Sequence, residues 1–230
     1  LTSFCQSIIL ALDILEAEYP PGVLITTSGI QKFYSNGLDL EHASNTKGFF
    51  HDSMFGLFKR LLTYPMPTVA LVNGHAFAGG FMLAMYHDYR IFNPSRGFLC
   101  LNELDLGVPL RPAMSSVFRE KLTPEVYKPM ILEAKRFGAK EALESNIVDA
   151  LGGMEEAIKL ISERKLADKG KTGVYGLLKK EMFRETLAYL EGSKDEDAWM
   201  AAEAKKDKAQ REEVKSRVKE WKRNNPSAKL

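Results

Sequence analysis

Apolar residues recur at helical spacing at the start of the chain, then gather into short continuous runs, so the pattern sets out helices alternating with strands. Phe4, Ile8, Leu12 and Leu15 mark one helix face, and Ser3 with Gln6 gives a capping-box pattern that starts the helix at Thr2 or Ser3. Pro20-Pro21-Gly22 ends it. Residues 23–27 and 68–72 are β-branched runs of the kind buried in a sheet. Between them Phe50, Met54, Leu57, Phe58 and Leu61 predict a helix over 49–62. A glycine-containing turn then feeds an apolar helix from about 79 to 87, followed by short strands at 89–92 and 98–101. Alternating strands and helices argue for an α/β fold with parallel pairing and crossover helices. From Pro112 the pattern is almost wholly helical, with starts near residues 112, 124, 139, 154, 174 and 195, interrupted by the apolar stretch 147–150. The chain therefore divides into a mixed core, 1–150, and a helical C-terminal region, 151–230.

Composition narrows the chemistry. At 230 residues, 45% hydrophobic and 27% charged, the chain suits one sizeable globular domain. A net charge of +2 gives no whole-chain electrostatic case for nucleic acid or a membrane surface. No apolar run approaches the roughly 20 residues of a membrane span. Cys5 and Cys100 lie far apart without metal-ligand spacing and read as two packed thiols in a reducing compartment. His42, His51, His75 and His87 show no metal motif, so no metal is expected, and His75 reads as a structural or cleft-lining residue. No Gly-x-Ser-x-Gly elbow supports a serine nucleophile.

Two glycine turns carry the chemical signal. In residues 32–40 Gly37 allows a turn whose following amide can point into a cleft, and Ala78-Gly79-Gly80 opens an apolar helix whose first amides have no intrahelical acceptor. Together they look like the halves of an oxyanion hole, the device that stabilises charge developing on a carbonyl oxygen. Met82, three residues past Gly79, shares its helix face and serves either as ordinary core or as an apolar pocket wall. Glu103, set among Leu101, Leu104 and Leu106, is the candidate base, its pKa raised by desolvation. Asp105 would share its direction only in an extended segment.

Residues 67–84, PTVALVNGHAFAGGFMLA, resemble the strand, turn and helix signature of the crotonase (enoyl-CoA hydratase/isomerase) superfamily, and Asn102-Glu103 resembles the Asn-Glu segment of its Δ3,Δ2-enoyl-CoA isomerases. The resemblance covers about 1–190. It implies a crotonase-like spiral of ββα units with a helical C-terminal trimerisation region. It implies Glu103 as catalytic base, the Leu38 and Gly79 amides as oxyanion donors, and backbone from Ser35 through Asn36, Gly37 and Leu38 to Asp39 along the thioester and pantetheine arm, with Met82 and Asn102 near the substrate. Hydratases of the superfamily carry a glutamate where Met82 stands, which argues against water addition. Arg111 stands near where dienoyl-CoA isomerases carry an aspartate, and the strands expected before the first helix are missing. The implied activity is a 3-enoyl-CoA to 2-trans-enoyl-CoA isomerisation in fatty acid β-oxidation, with CoA as part of the substrate, no cofactor, and a homotrimer or hexamer as the assembly. Another CoA-thioester hydratase or lyase, or a silent acyl-CoA-binding assembly subunit, stays open as an alternative.

The ends of the chain add two expectations. Residues 195–223 mix charges around Trp199, Met200, Val214, Val218 and Trp221, as a solvated helix does, although these residues would also seat it on a neighbouring subunit. Ser227-Ala228-Lys229-Leu230 is a close variant of the Ser-Lys-Leu address, implying a peroxisomal import receptor as a partner through Ala228-Lys229-Leu230. The chain opens at Leu1 rather than methionine, which leaves an upstream segment open.

Overall fold

The computed structural model describes residues 1–193 and 196–225, so the C-terminal address at 228–230 lies outside the described residues. They form two units, Leu1–Glu191 and a second from Gly192 onward.

In the first unit, α1 (Thr2–Glu18) precedes β1 (Leu24–Thr26) and β2 (Phe33–Ser35). The capping box is not made: Leu1 occupies the cap position of α1 without a side-chain cap bond. The buried face of α1 runs through Cys5 and Leu12, and Phe4 points outward, 55% exposed. After α2 (Leu40–Asn45), a π-helical segment, Phe49–Met54, runs into α3 (Phe55–Leu62), so the predicted helix over 49–62 is present but wound wider in its first half. Next come β3 (Thr68–Val72), β4 (His75–Phe77), α4 (Gly79–Met85), β5 (Tyr89–Phe92) and β6 (Leu99–Cys100). The chain continues through α5 (Glu103–Leu106), α6 (Pro112–Lys121), α7 (Pro124–Leu132), α8 (Ala139–Glu144), β7 (Ala150–Leu151) and α9 (Met154–Glu163). A 3-10 segment, Leu166–Thr172, then leads to α10 (Tyr175–Met182) and α11 (Arg184–Glu191).

Odd-numbered strands build one parallel sheet, β1-β3-β5-β7, and even-numbered strands a second, β2-β4-β6. Each of the first three passes of the chain thus lays one strand on each sheet before a helix, and the last adds β7 alone before α9, which is the spiral of ββα units. β3 is buried along its whole length because both faces of its sheet are covered, and a β-branched apolar run answers that environment. One core cluster joins Leu12, Phe58, Leu61, Phe81, Tyr86 and Phe118, with Phe58 and Tyr86 stacked at 4.2 Å. A second cluster seats Val69, Leu71 and Ile91 against Ala157 and Leu160 of α9.

Two ion pairs gather where α4 passes into β5. Asp88 accepts from Lys179 Nζ at 2.8 Å, Tyr175 Oη at 3.2 Å and the Thr68 N–H at 2.9 Å. Arg90 pairs with Asp149 at 3.3 Å and donates to Ile147 O at 2.7 Å. Cys5 and Cys100 are free and buried.

The second unit contributes α12 (Glu196–Asn224), on which Trp199, Val214, Val218 and Trp221 are exposed. Among the described residues no helix is long and apolar enough to cross a membrane.

Candidate active site

Parallel pairing of β2, β4 and β6 makes all three strands end on the same edge of their sheet. Ser35 pairs with Ala76, and Phe77 with Cys100. Three segments leave that edge side by side: 36–38 after β2, 78–79 after β4 and 101–103 after β6. Neighbouring strands lie about 4.8 Å apart, so these exits converge although roughly 40 and 25 residues separate them in sequence. The C-terminal edge of parallel strands is also where α/β sheets open a crevice for ligands.

The first exit is a tight turn. Gly37 has φ +91° and its N–H donates to Ser35 Oγ at 3.3 Å. Asp39 caps α2 by accepting from the His42 N–H at 3.0 Å. The second exit is held in an unusual backbone state, because Ala78 has φ 47° and ψ −124°, which costs on the order of 1–3 kcal/mol for a residue with a β-carbon. Ala78 N–H stays on the sheet by donating to Cys100 O at 2.9 Å, and its carbonyl accepts from Phe81 and Met82 N–H, both at 3.0 Å. The strained residue thus turns the chain from strand to helix within one peptide. Among the described residues neither the Leu38 nor the Gly79 N–H donates to a backbone carbonyl.

The two exits touch. A β-carbon on Gly37 would lie 3.0 Å from Phe77 O and 3.5 Å from the Gly79 nitrogen, and one on Gly80 only 2.4 Å from Ser35 O. Glycine is required here by the close approach of two main chains.

The third exit places Glu103 at the first position of α5, 8% exposed. Its Oε2 and the neighbouring Asn102 Oδ1 are, among the described residues, the buried side-chain atoms with no hydrogen-bond partner. Burial pushes the Glu103 carboxyl up to about 7, while a bond from its own backbone pulls slightly the other way. The carboxyl is therefore poised to take and return a proton near neutral pH.

A shared edge, two converging glycine turns and one buried carboxyl with an unpartnered oxygen agree with the comparisons. Residues 2–224 match the family model described as enoyl-CoA hydratase/isomerase. The chain belongs to the enoyl-CoA hydratase/isomerase family. Enoyl-CoA delta isomerase 1, peroxisomal, of Arabidopsis thaliana is 35% identical over 187 residues, spanning 77% of each chain. Enoyl-CoA delta isomerase 3 of the same plant is 31% identical over 192 residues, covering 78% of this chain and 81% of that one. The crystal structure of human mitochondrial delta3-delta2-enoyl-CoA isomerase superposes with a TM-score of 0.76 at 24% identity, over 96% of this chain and 90% of that one, and shows the shared fold.

Within this family member, the other sequence-derived positions fall as follows. Met82 is 1% exposed and belongs to the core cluster. Leu101 is buried as expected, but Leu104 and Leu106 point outward at 57% and 47% exposure, so they do not enclose Glu103. The cause is that the segment after Asn102 is helical, which also turns Asp105 to solvent, away from Glu103. His75 lies in β4, half-buried, and its Nδ1 accepts from the Phe98 N–H at 3.2 Å. Among the described residues no cluster of three or more His, Cys, Asp or Glu side chains is arranged to hold a metal ion. The strain at Ala78 was not read from the sequence, although the Ala-Gly-Gly run directly after a short strand is the local signal for an abrupt strand-to-helix turn.

Proposed function

We propose that the protein is a Δ3,Δ2-enoyl-CoA isomerase. Glu103 removes a C2 proton from a 3-enoyl thioester and returns it at C4, moving the double bond to the 2-trans position. The Leu38 and Gly79 amides hold the dienolate oxygen meanwhile, each contributing on the order of 3 kcal/mol. Backbone from Ser35 to Asp39 runs along the thioester and pantetheine arm, Asn102 lines the reacting carbons, and CoA enters as part of the substrate.

One observation carries this reading: among the described residues the buried Glu103 carboxyl, whose Oε2 has no hydrogen-bond partner, leaves the same sheet edge as two N–H groups that donate to no backbone carbonyl. The isomerase relatives support it, and so does Met82, which cannot relay a proton as a second acid. The experiment is conversion of 3-hexenoyl-CoA to the conjugated 2-enoyl thioester, followed by absorbance, in wild type and Glu103→Gln. Turnover by wild type and its loss in the variant support the reading, and equal rates remove Glu103 from its role.

The enzyme acts as a homotrimer or hexamer in fatty acid β-oxidation. Exposed Leu177, Leu178 and Met182 on α10 support burial against another copy. Two relatives named as peroxisomal support that compartment. Light scattering on the purified protein and a fluorescent fusion in cells test these two points.

A further inference from the structure

We infer that Tyr34, Thr26 and His87 are positioning residues: a directional hydrogen-bond chain ties the strand that feeds the first donor turn to the helix that carries the second, and so sets the gap between the Leu38 and Gly79 amides. The inference rests on the donor reading proposed above.

The chain begins at Tyr34 in β2, one residue before Ser35, with its ring in the core. Tyr34 Oη and Thr26 Oγ1 are 2.9 Å apart, Thr26 Oγ1 and His87 Nε2 are 2.9 Å apart, and His87 Nδ1 is 2.9 Å from Leu83 O inside α4. The direction follows from elementary chemistry. A carbonyl only accepts, so His87 Nδ1 carries the hydrogen. Burial pushes the His87 imidazolium down to about 4, which leaves the ring neutral and Nε2 a bare acceptor. The Thr26 hydroxyl must then donate to Nε2, and its oxygen is left to accept from Tyr34. Each hydroxyl has one role, and reversing either breaks a bond of the chain.

The far end of the chain is anchored as well. Lys121 Nζ, reaching from the end of α6, donates to Met85 O at 2.6 Å and His87 O at 2.7 Å, and Arg90 Nη1 donates to His87 O at 2.9 Å. Tyr86 Oη donates to Ala113 O at 2.6 Å, fixing the same end of α4 to the start of α6. Helix α4 therefore cannot slide along its axis without breaking buried bonds. At its other end the Gly79 and Gly80 backbone meets the turn that follows Tyr34, with a β-carbon on Gly80 only 2.4 Å from Ser35 O. The bonds of β2 and α4 meet through Thr26, which stands on β1 in the other sheet. An oxyanion needs both donors at about 2.7–3.1 Å, and a misplacement of ~1 Å can cost ~100-fold in rate. A part-buried chain with one allowed direction supplies that precision better than packing alone.

The test combines kinetics with a spectroscopic report of carbonyl polarisation in the full-length protein. The probe is 4-dimethylaminocinnamoyl-CoA, whose absorption moves to longer wavelength when its thioester oxygen accepts strong hydrogen bonds. Tyr34→Phe removes the first donor yet leaves Thr26 free to serve His87, so it folds. We expect kcat on 3-hexenoyl-CoA to fall ~10-fold with KM within ~2-fold, and the probe's red shift to shrink. Thr26→Val, which leaves Nε2 without a donor, loses more, and Thr26→Ser restores both readouts. Wild-type kcat and red shift in folded Tyr34→Phe overturn the inference, as does a loss confined to KM with the shift unchanged. A wild-type protein that does not shift the probe removes the donor reading and this inference with it, whereas a normal wild-type shift shared by the variants removes this inference alone.

Discussion

A β-carbon built on Gly79 would stand 3.0 Å from Cγ and 3.1 Å from Cδ2 of Leu38, so the residues of the two proposed donors are packed directly on one another. The neighbour at Gly79 is a side chain, which can give by a few tenths of an ångström. At Gly80 it is the Ser35 carbonyl oxygen at 2.4 Å, which cannot move without parting the two turns. Gly79→Ala is expected to keep its fold and lose ~100-fold in kcat/KM through obstruction of the donor. Gly80→Ala is expected to lose about 2 kcal/mol or more of stability. Thermal melts beside kinetics separate the two, and a destabilised Gly79→Ala with normal activity in its folded fraction contradicts the assignment.

As the proposed base, Glu103 would tie activity to pH. Its carboxyl titrates near 7 in the folded protein against an ordinary value of 4.5, and only the ionised form is a base. The rate kcat/KM should rise with pH through about 7 and level off above it. A profile that is already flat at pH 5 would show a base other than this one.

The same shift acts on stability with the opposite sign. Because the folded state binds the Glu103 proton more tightly than the unfolded chain does, its contribution is greatest below pH 4.5 and is lost as pH rises through about 7. Glu103→Gln removes an unpaired buried charge, so it should be more stable than wild type at pH 8 by on the order of 2–3 kcal/mol, with the advantage vanishing near pH 4. Denaturant titrations at the two pH values check this.

Met82 is buried in the core, so a carboxylate there would be cut off from water. Met82→Glu is expected to lose several kcal/mol of stability and to gain no hydration of 2-enoyl-CoA. A stable, hydrating variant would show that this position opens onto the cleft.

Lys179 on α10 and Asp88 after α4 meet at 2.8 Å with side chains only 6% and 9% exposed. Lys179→Met strands the Asp88 charge and should cost about 3–5 kcal/mol, read from the denaturation midpoint. Adding Asp88→Asn should recover part of the loss, because the amide keeps bonds to Tyr175 and Thr68 without a buried charge. A double variant no better than the single would mean that packing around α10, not the ion pair, carries the effect.

The sequence by itself determined the longer elements and the chemical parts. Thr68–Val72 and Tyr89–Phe92 are strands where the apolar runs lie, and helices start at Pro112, Pro124, Ala139 and Met154 because their local signals suffice. Gly37, Gly79 and Gly80 were legible because close backbone approach leaves a glycine requirement in the residue itself. The strands β2 and β4 were not legible: three residues carry too few alternations to show a period, and their pairing partners lie tens of residues away. Only the tertiary structure decided that three distant turns leave one sheet edge, that Glu103 sits on a helical turn with its oxygen unpartnered, and that Tyr34 reaches His87 through Thr26. Propensity and glycine chemistry act within a few residues, whereas strand register, desolvation and buried hydrogen-bond direction come from neighbours that the fold alone brings together.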